Sequence, residues 1–376
     1  MIPIIRPWLG PEEARAAHDA ILSGWIAQGP KVREFESAFC AAAGCAHAVA
    51  VSSATTGLHL ALHGLGVGPG DEVVCPSLSF IATANSIRYC GATPVFADVD
   101  PVTQNLTGAT VAAVLTPRTK AVLVVHQAGM PCDLDDIAAV LPAGVIMVED
   151  AACAIGSTYR DKPIGGYAPL VVFSFHPRKL VTCGEGGMVA VQDAAIADRL
   201  RRLRQHAMTV NDVQRHTSTT FLLEQYDELG WNHRMTDIQA AVGIVQLAKL
   251  PAMTTRRRQL AAAYTQALAD LGLVLPCDPA WGTTNYQSYC VRVPGCTAER
   301  RNAILQAMLD DGVMGKRGIM ASHQEPAYAG HPHVPLPQTE AWAADSLVLP
   351  LYHEMTQDEL ARVVQSLRKA LTTIAK

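Results

Sequence analysis

Residues 171–188 read VVFSFHPRKLVTCGEGGM. The apolar run Val171-Val172-Phe173 leads into Ser174 and then Lys179, and Gly184, Gly186 and Gly187 follow with Glu185 among them. A short β-branched and aromatic run without polar alternation reads as a strand buried on both faces. A lysine just past the end of such a strand is costly to bury as a cation, so it either reaches back to water or loses its proton. A desolvated lysine with a lowered pKa is a nucleophilic amine of the kind that forms Schiff bases. Most loop lysines are solvated surface residues, so the weight falls on what the rest of the chain places around this one.

Working outward, the strand signal recurs at Ala46–Val51, Asp71–Cys75, Pro94–Ala97, Ala121–Val125 and Val145–Val148, with helical segments between. Strand and helix alternating at this spacing predict a mostly parallel sheet with helices on both faces, and such sheets bind ligands beyond the carboxyl ends of their strands. The polar residues at those ends are Ser53 and Thr55, Ser79 beside Phe80, His126, Asp150, and Ser174 with Lys179. They are candidates for one shared site. After Val51 the turn Ser52-Ser53-Ala54-Thr55-Thr56-Gly57 opens a helix, and a helix N-terminus with small hydroxyl residues is an anion cradle, although capping alone also explains it. Asp150 follows the buried run Val145-Ile146-Met147-Val148, where a carboxylate needs a positive or protonated partner. Gly64-Leu65-Gly66-Val67-Gly68-Pro69-Gly70 is no dinucleotide fingerprint, because it follows a helix and precedes a strand; it reads as a turn.

The flanking segments complete the outline. Helices are predicted over Pro11–Leu22, from Gly29-Pro30 onward, and over Asp193–Arg204. Residues 209–230 read as a loop over the site, and Thr236-Asp237-Ile238-Gln239 as a capping box. A further helix is expected from about Met253 to Leu271, a strand at Tyr289–Val293, a helix at Thr297–Leu309, an irregular stretch at 312–337 and a last helix behind the capping box Thr356–Glu359. The character changes near 250, which predicts a large domain over 1–250 and a smaller C-terminal α/β domain over 251–376. The 376 residues suit two such units. With 49% hydrophobic and 17% charged residues and a net charge of −4, the chain shows no basic surplus, so neither nucleic acid nor an anionic membrane is expected as a partner. The first fifteen residues lack the long apolar core of a signal peptide, and the expectation is a cytoplasmic protein. Its 10 cysteines form no C-x-x-C pair and read as small buried hydrophobes, and no metal site is expected.

An anion cradle, a buried carboxylate and a lysine at successive strand ends fit pyridoxal 5′-phosphate, though other anionic cofactors also use helix N-termini. The motifs narrow this. Ser23-Gly24-Trp25 and Gly29-Pro30 come first, then Ser53-Ala54-Thr55 and Ser79-Phe80 with Thr83 and Asn85. His126-x-x-Gly129-x-Pro131-x-Asp133 and Glu149-Asp150-Ala151-Ala152 follow. Ser174-Phe175-His176-x-x-Lys179 with Gly184-Glu185-Gly186-Gly187 comes next, and Gly230-x-Asn232-x-Arg234-Met235 and Gln239 close the run. In this order and over nearly the whole chain, they resemble the DegT/DnrJ/EryC1/StrS family of sugar aminotransferases, of fold-type I among pyridoxal-phosphate enzymes.

The resemblance implies a mostly parallel seven-stranded sheet flanked by helices, with the smaller C-terminal domain beside it. Lys179 would hold the cofactor and move the proton. Asp150 would pair with the pyridine nitrogen; Ala54, Thr55 and Ser174 would bind phosphate; Phe80 would stack on the ring. Asn232 would reach the phosphate of a neighbouring subunit, implying a homodimer with active sites at the subunit interface. Cys153 stands where the family usually carries Gln or His, so a ring contact is expected there without a strong hydrogen bond. His176, Arg234, His323 and Tyr328 are candidate substrate contacts. The implied reaction moves an amino group from glutamate or glutamine to a nucleotide-linked keto-sugar. The Ser-Phe-His before the lysine and the Gly-Glu-Gly-Gly after it look like members acting at C4 of 4-keto-6-deoxy sugars. A keto-cyclitol of aminoglycoside biosynthesis is the alternative acceptor. Sugar dehydratases on this scaffold replace the lysine by histidine, and non-catalytic relatives would lose Lys179 or Asp150; both residues are present.

Overall fold

The computed structural model describes residues 1–210 and 218–374. Seven strands form the central sheet: β1 (His47–Val51), β2 (Glu72–Pro76), β3 (Thr93–Ala97), β4 (Thr119–Val125), β5 (Ile146–Asp150), β6 (Leu170–Ser174) and β7 (Gly187–Val191). Their spatial order is β1-β7-β6-β5-β4-β2-β3. Pairing is parallel from β6 across to β3, and β7 alone runs antiparallel, to both its neighbours. β7 is a strand that the sequence reading missed, having stopped at the glycine turn. Because β7 reverses direction twice over, β1 and β6 point the same way, and Gly187 lies opposite both Val51 and Ser174.

The period-2 geometry of β6 explains its apolar run. Val171 and Phe173 face one core with Phe35 and Phe39 of the helix Pro30–Ala43, while Leu170 and Val172 face the other with Leu58, Leu60 and Leu62 of the helix Ala54–Gly64. Both faces are covered, so polar alternation has nowhere to go. The long-range cap Asp237 ties the layers together: its carboxylate, wholly buried, accepts the N–H groups of Gly29 at 2.7 Å, Lys31 at 3.0 Å and Val32 at 3.0 Å.

A third core belongs to the C-terminal part. Strands β8 (Tyr289–Arg292), β9 (Lys316–Arg317) and β10 (Ser346–Leu349) form a three-stranded antiparallel sheet in the order β8-β10-β9. Leu260, Tyr264, Ile304, Met308, Leu360 and Val363 pack beneath it, and Ile2 joins them from the start of the chain. The helix expected from Met253 begins earlier, at Leu250, directly after the helix Asp237–Ala248. We propose the division between the two units at residue 250, with Ile2 crossing over to the second.

Candidate active site

Asp150 is the last residue of β5, so its backbone stays in the sheet while its side chain meets the space beyond the strand ends. It is 5% exposed. The Thr83 hydroxyl donates to Oδ2 at 2.9 Å and the Ala152 N–H to Oδ1 at 3.1 Å. Since Thr83 spends its proton on Asp150, the 2.8 Å contact between Ser79 and Thr83 is a donation by Ser79, and the three residues form one directed chain. Burial raises the Asp150 carboxyl above its ordinary range; the Thr83 and Ala152 bonds and the Lys179 charge oppose this without cancelling it. A proton-bearing partner in the cleft would relieve the buried charge.

Lys179 sits in a loop folded back on the ends of β6 and β7. The Phe175 N–H donates to Gly186 O at 2.9 Å and the Lys179 N–H to His176 O at 2.8 Å. The half-buried Lys179 side chain extends to Cys153, with Nζ 3.1 Å from Sγ. Across the cleft the helix Ala54–Gly64 begins. Ser53 caps it, accepting the Thr56 N–H at 3.1 Å, and among the described residues the N–H groups of Ala54 and Thr55 have no acceptor. Gly187 makes this end possible. A Cβ there would stand 2.6 Å from the Ser53 carbonyl carbon and 2.7 Å from Ala54 N. The strand start and the helix start therefore close into one cup beside Ser174.

These groups line one cleft of about 700 Å³. Ala54, Thr55, Phe80, Asp150, Cys153, Ser174, His176 and Lys179 all reach it. The residues fit pyridoxal phosphate on three physical grounds. The helix end offers unpaired donors to an anion, Asp150 offers a buried carboxylate to a protonated ring nitrogen, and Phe80 leaves 69% of its surface bare where a flat ring would cover it. Burial lowers the His176 pKa; Glu185, with its carboxylate 3.9 Å away, opposes this, and the Lys179 and Arg178 charges add to it.

Other expected residues lie elsewhere. His126 turns inward; its Nδ1 accepts the Cys132 N–H at 3.1 Å, which leaves Nε2 to donate to Glu149 at 2.8 Å, both side chains fully buried. His323 is packed against Ser77, with Nδ1 2.7 Å from Oγ, and Tyr328 donates its hydroxyl to Asn85 at 2.9 Å from within the second core. Neither lines the cleft. Asn232 and Arg234 also lie outside their own chain's cleft, bonded to each other at 3.1 Å. Of the loop expected over the site, residues 211–217 lie outside the described residues. None of its described part lines the cleft, and it is bridged back to the segment after the helix Ala194–Leu203, where Met208 pairs with Tyr226.

Glu185 of the glycine turn lines the cleft as well, and residues that the sequence reading did not pick out join the walls: Arg178, Gln287, Lys316 and Arg317. Lys316 and Arg317 form β9, inside the stretch read as irregular. Desolvation by the cleft walls, with the Lys179 and Arg178 charges, draws the Lys316 pKa down, although the residue as a whole stays exposed. Only the packing of the C-terminal sheet against the strand ends brings these cations to the cleft, and no local pattern announces it.

Fold and cleft together define an α/β pyridoxal-phosphate enzyme of the aminotransferase type. The model of the DegT/DnrJ/EryC1/StrS aminotransferase family matches residues 7–368, and the chain belongs to that family. Over the full length of both chains it is similar to the aminotransferase TlmJ from Streptoalloteichus hindustanus, at 37% identity and a TM-score of 0.92. The sugar aminotransferase Spr1654 from Streptococcus pneumoniae in its PMP form is 26% identical over 100% of both chains, with a TM-score of 0.94. DesV from S. venezuelae, solved with a ketimine intermediate, is 34% identical over 98% of both chains, with a TM-score of 0.89.

Proposed function

We propose that this aminotransferase moves an amino group from glutamate or glutamine to a nucleotide-linked keto-sugar, at C4 of a 4-keto-6-deoxy sugar. The observation that carries the site is the convergence of Lys179, Asp150 and the helix start at Ala54 on one cleft. Ala54, Thr55 and Ser174 would hold the phosphate of pyridoxal phosphate, Phe80 and Cys153 would contact its ring, and Asp150 would keep its ring nitrogen protonated. When bound, that group supplies an electron sink that makes a proton on the substrate's amine-bearing carbon acidic.

The chain's own part is proton handling and placement. Lys179 Nζ takes the proton from the substrate carbon and returns it, a role that needs a mobile amine within hydrogen-bond reach of the reacting atom. Asp150 stays ionised at neutral pH against the pull of burial once a cationic partner faces it, and the Ser79–Thr83 chain on Oδ2 and the Ala152 N–H on Oδ1 keep its two oxygens oriented. His176, Arg178, Lys316 and Arg317 place positive and donor groups at the cleft walls, which supports an anionic acceptor such as a diphosphate-linked sugar. Asn232 and Arg234, outside the cleft of their own chain, support a homodimer in which they complete the partner's site. A cytoplasmic location belongs to the same reading.

The test is direct. The purified protein is loaded with pyridoxal phosphate, its visible band is followed on adding glutamate, and the amine form is then offered a panel of nucleotide-linked keto-sugars and keto-cyclitols with mass detection. Bleaching by glutamate and amination of a 4-keto-6-deoxy sugar nucleotide are expected. Amination of a cyclitol alone would overturn the acceptor, and a protein that takes up no cofactor would overturn the whole.

A further inference from the structure

Lys179 is flanked by two peptide groups that one side chain holds at once. The Gln287 amide donates from Nε2 to the Arg178 carbonyl at 2.6 Å and accepts the Leu180 N–H on Oε1 at 3.1 Å. An amide that donates to residue i−1 and accepts from residue i+1 imitates a pairing strand, and it fixes the backbone at the residue between. Gln287 is only 6% exposed, so both bonds are sheltered from water.

Gln287 is itself fixed. Its N–H donates to Asn285 Oδ1 at 2.7 Å, and its carbonyl accepts from Arg257 Nη1 at 3.2 Å. Arg257 is buried in the helix Leu250–Leu268, and burial draws its pKa down to about 10. Asn285 also donates to the carbonyls of Cys153 at 2.9 Å and Ile155 at 2.7 Å. The segment 285–287, which leads into β8 of the C-terminal sheet, therefore grips both partners of the contact between Lys179 Nζ and Cys153 Sγ. Gly129 leaves room for the grip: a Cβ there would stand 1.9 Å from Asn285 Oδ1.

We propose that Gln287 is a positioning residue for Lys179. It holds the lysine backbone so that Nζ lies where the proton must be transferred, and it couples that placement to the C-terminal unit. The inference rests on the proton-moving role of Lys179 given under Proposed function. Loss of the clamp moves Nζ without removing it, and a displacement of about 1 Å at a reacting group costs roughly 100-fold in rate.

Gln287→Met keeps the length and volume and removes both bonds. In the cofactor-free variant, hydrogen exchange of the amides at 179–181 is expected to accelerate at least about tenfold relative to the sheet amides. In the loaded enzyme kcat with glutamate is expected to fall roughly 10- to 100-fold with KM little changed, and the isotope effect from α-deuterated glutamate to rise as proton transfer becomes slower than other steps. Gln287→Glu supplies a second reading if the Met variant does not fold. Its carboxylate can accept from Leu180 but donates to Arg178 only when protonated, so its kcat relative to that of the parent enzyme should recover as pH falls, and a ratio that does not change with pH counts against the clamp. Unchanged exchange at 179–181, or a kcat and isotope effect within twofold of the parent in Gln287→Met, overturns the proposal. A parent protein without a glutamate-sensitive visible band overturns the reading beneath it, and the exchange result distinguishes the two.

Discussion

Gly187→Ala probes the closest approach in the proposed phosphate cup. The added methyl would meet the Ser53 carbonyl carbon at 2.6 Å and Ala54 N and Ser53 O at 2.7 Å each, all of them backbone. Gly187 cannot retreat, because it is paired with Val51 on one side and Ser174 on the other. The turn Ser53-Ala54 must move instead, and overpacking of this kind costs about 1–3 kcal/mol. The same turn carries the donors placed on the phosphate, and each misaligned hydrogen bond to a charged group forfeits about 1.5–3 kcal/mol. Cofactor affinity should then fall roughly 10- to 100-fold at about 1.4 kcal/mol per decade. The assay is titration of the cofactor-free protein with pyridoxal phosphate at the visible band, with a thermal melt alongside. Gly184→Ala is the control: at φ 88° it meets nothing within 4 Å. It should lose about 1 kcal/mol of stability from backbone strain and keep its affinity. An affinity within twofold of the parent for Gly187→Ala, or an equal loss for Gly184→Ala, would refute the cup.

Lys179→Ala should lose turnover by roughly 10²–10⁴-fold while still taking up the cofactor, and Asp150→Asn should weaken both uptake and turnover; equilibrium dialysis beside a glutamate assay separates the two, and full uptake by Asp150→Asn would count against its role. Acid stability should depend on His59, whose pKa burial, reinforced by the charges of His233 and His63, holds down at about 4 against an ordinary 6.5. A depressed histidine favours the fold while neutral, so its contribution is whole above pH 6.5 and is lost as pH falls toward 4. The loss reaches about 2 kcal/mol by pH 5. His59→Phe, compared with the parent in urea melts at pH 7.5 and pH 5, should shrink the acid-linked loss by about that amount; an identical loss in both proteins would remove His59 from the account.

Much of the site was legible because its chemistry sits at strand ends, where apolar runs give way to a polar residue. Val145–Val148 before Asp150 and Val171–Phe173 before Ser174 are such runs, and both mark the carboxyl edge of the sheet. The Thr236 capping box was equally plain: Gln239 N–H meets Thr236 Oγ1 at 3.2 Å, and Thr236 N–H meets Gln239 Oε1 at 3.0 Å. His126 reads the same way yet turns inward to Glu149, since a strand-end position does not say which way the next residue points. β7 was missed because its apolar residues follow the glycine turn without a break in pattern.

By itself, the sequence determined the alternating α/β order, the strand-end identities of Asp150 and Ser174 with Lys179 just beyond, and a helix behind the turn Ser52–Gly57, although that helix starts at Ala54, inside the stretch read as the turn. These are local properties, written in periodicity, caps and spacing. The tertiary structure decided that β7 runs against its neighbours and closes the cup at Gly187, and that Lys316 and Arg317 reach the cleft from the C-terminal sheet. It also decided that Gln287 spans the peptide groups around Lys179. The approach of Gly187 to Ser53 and the bonds of Gln287 to Arg178 and Leu180 join residues more than a hundred positions apart, and such partners are chosen by how whole sheets and helices pack, which no local pattern encodes. The opening stretch supplies the lysine; the packed C-terminal unit holds it in place.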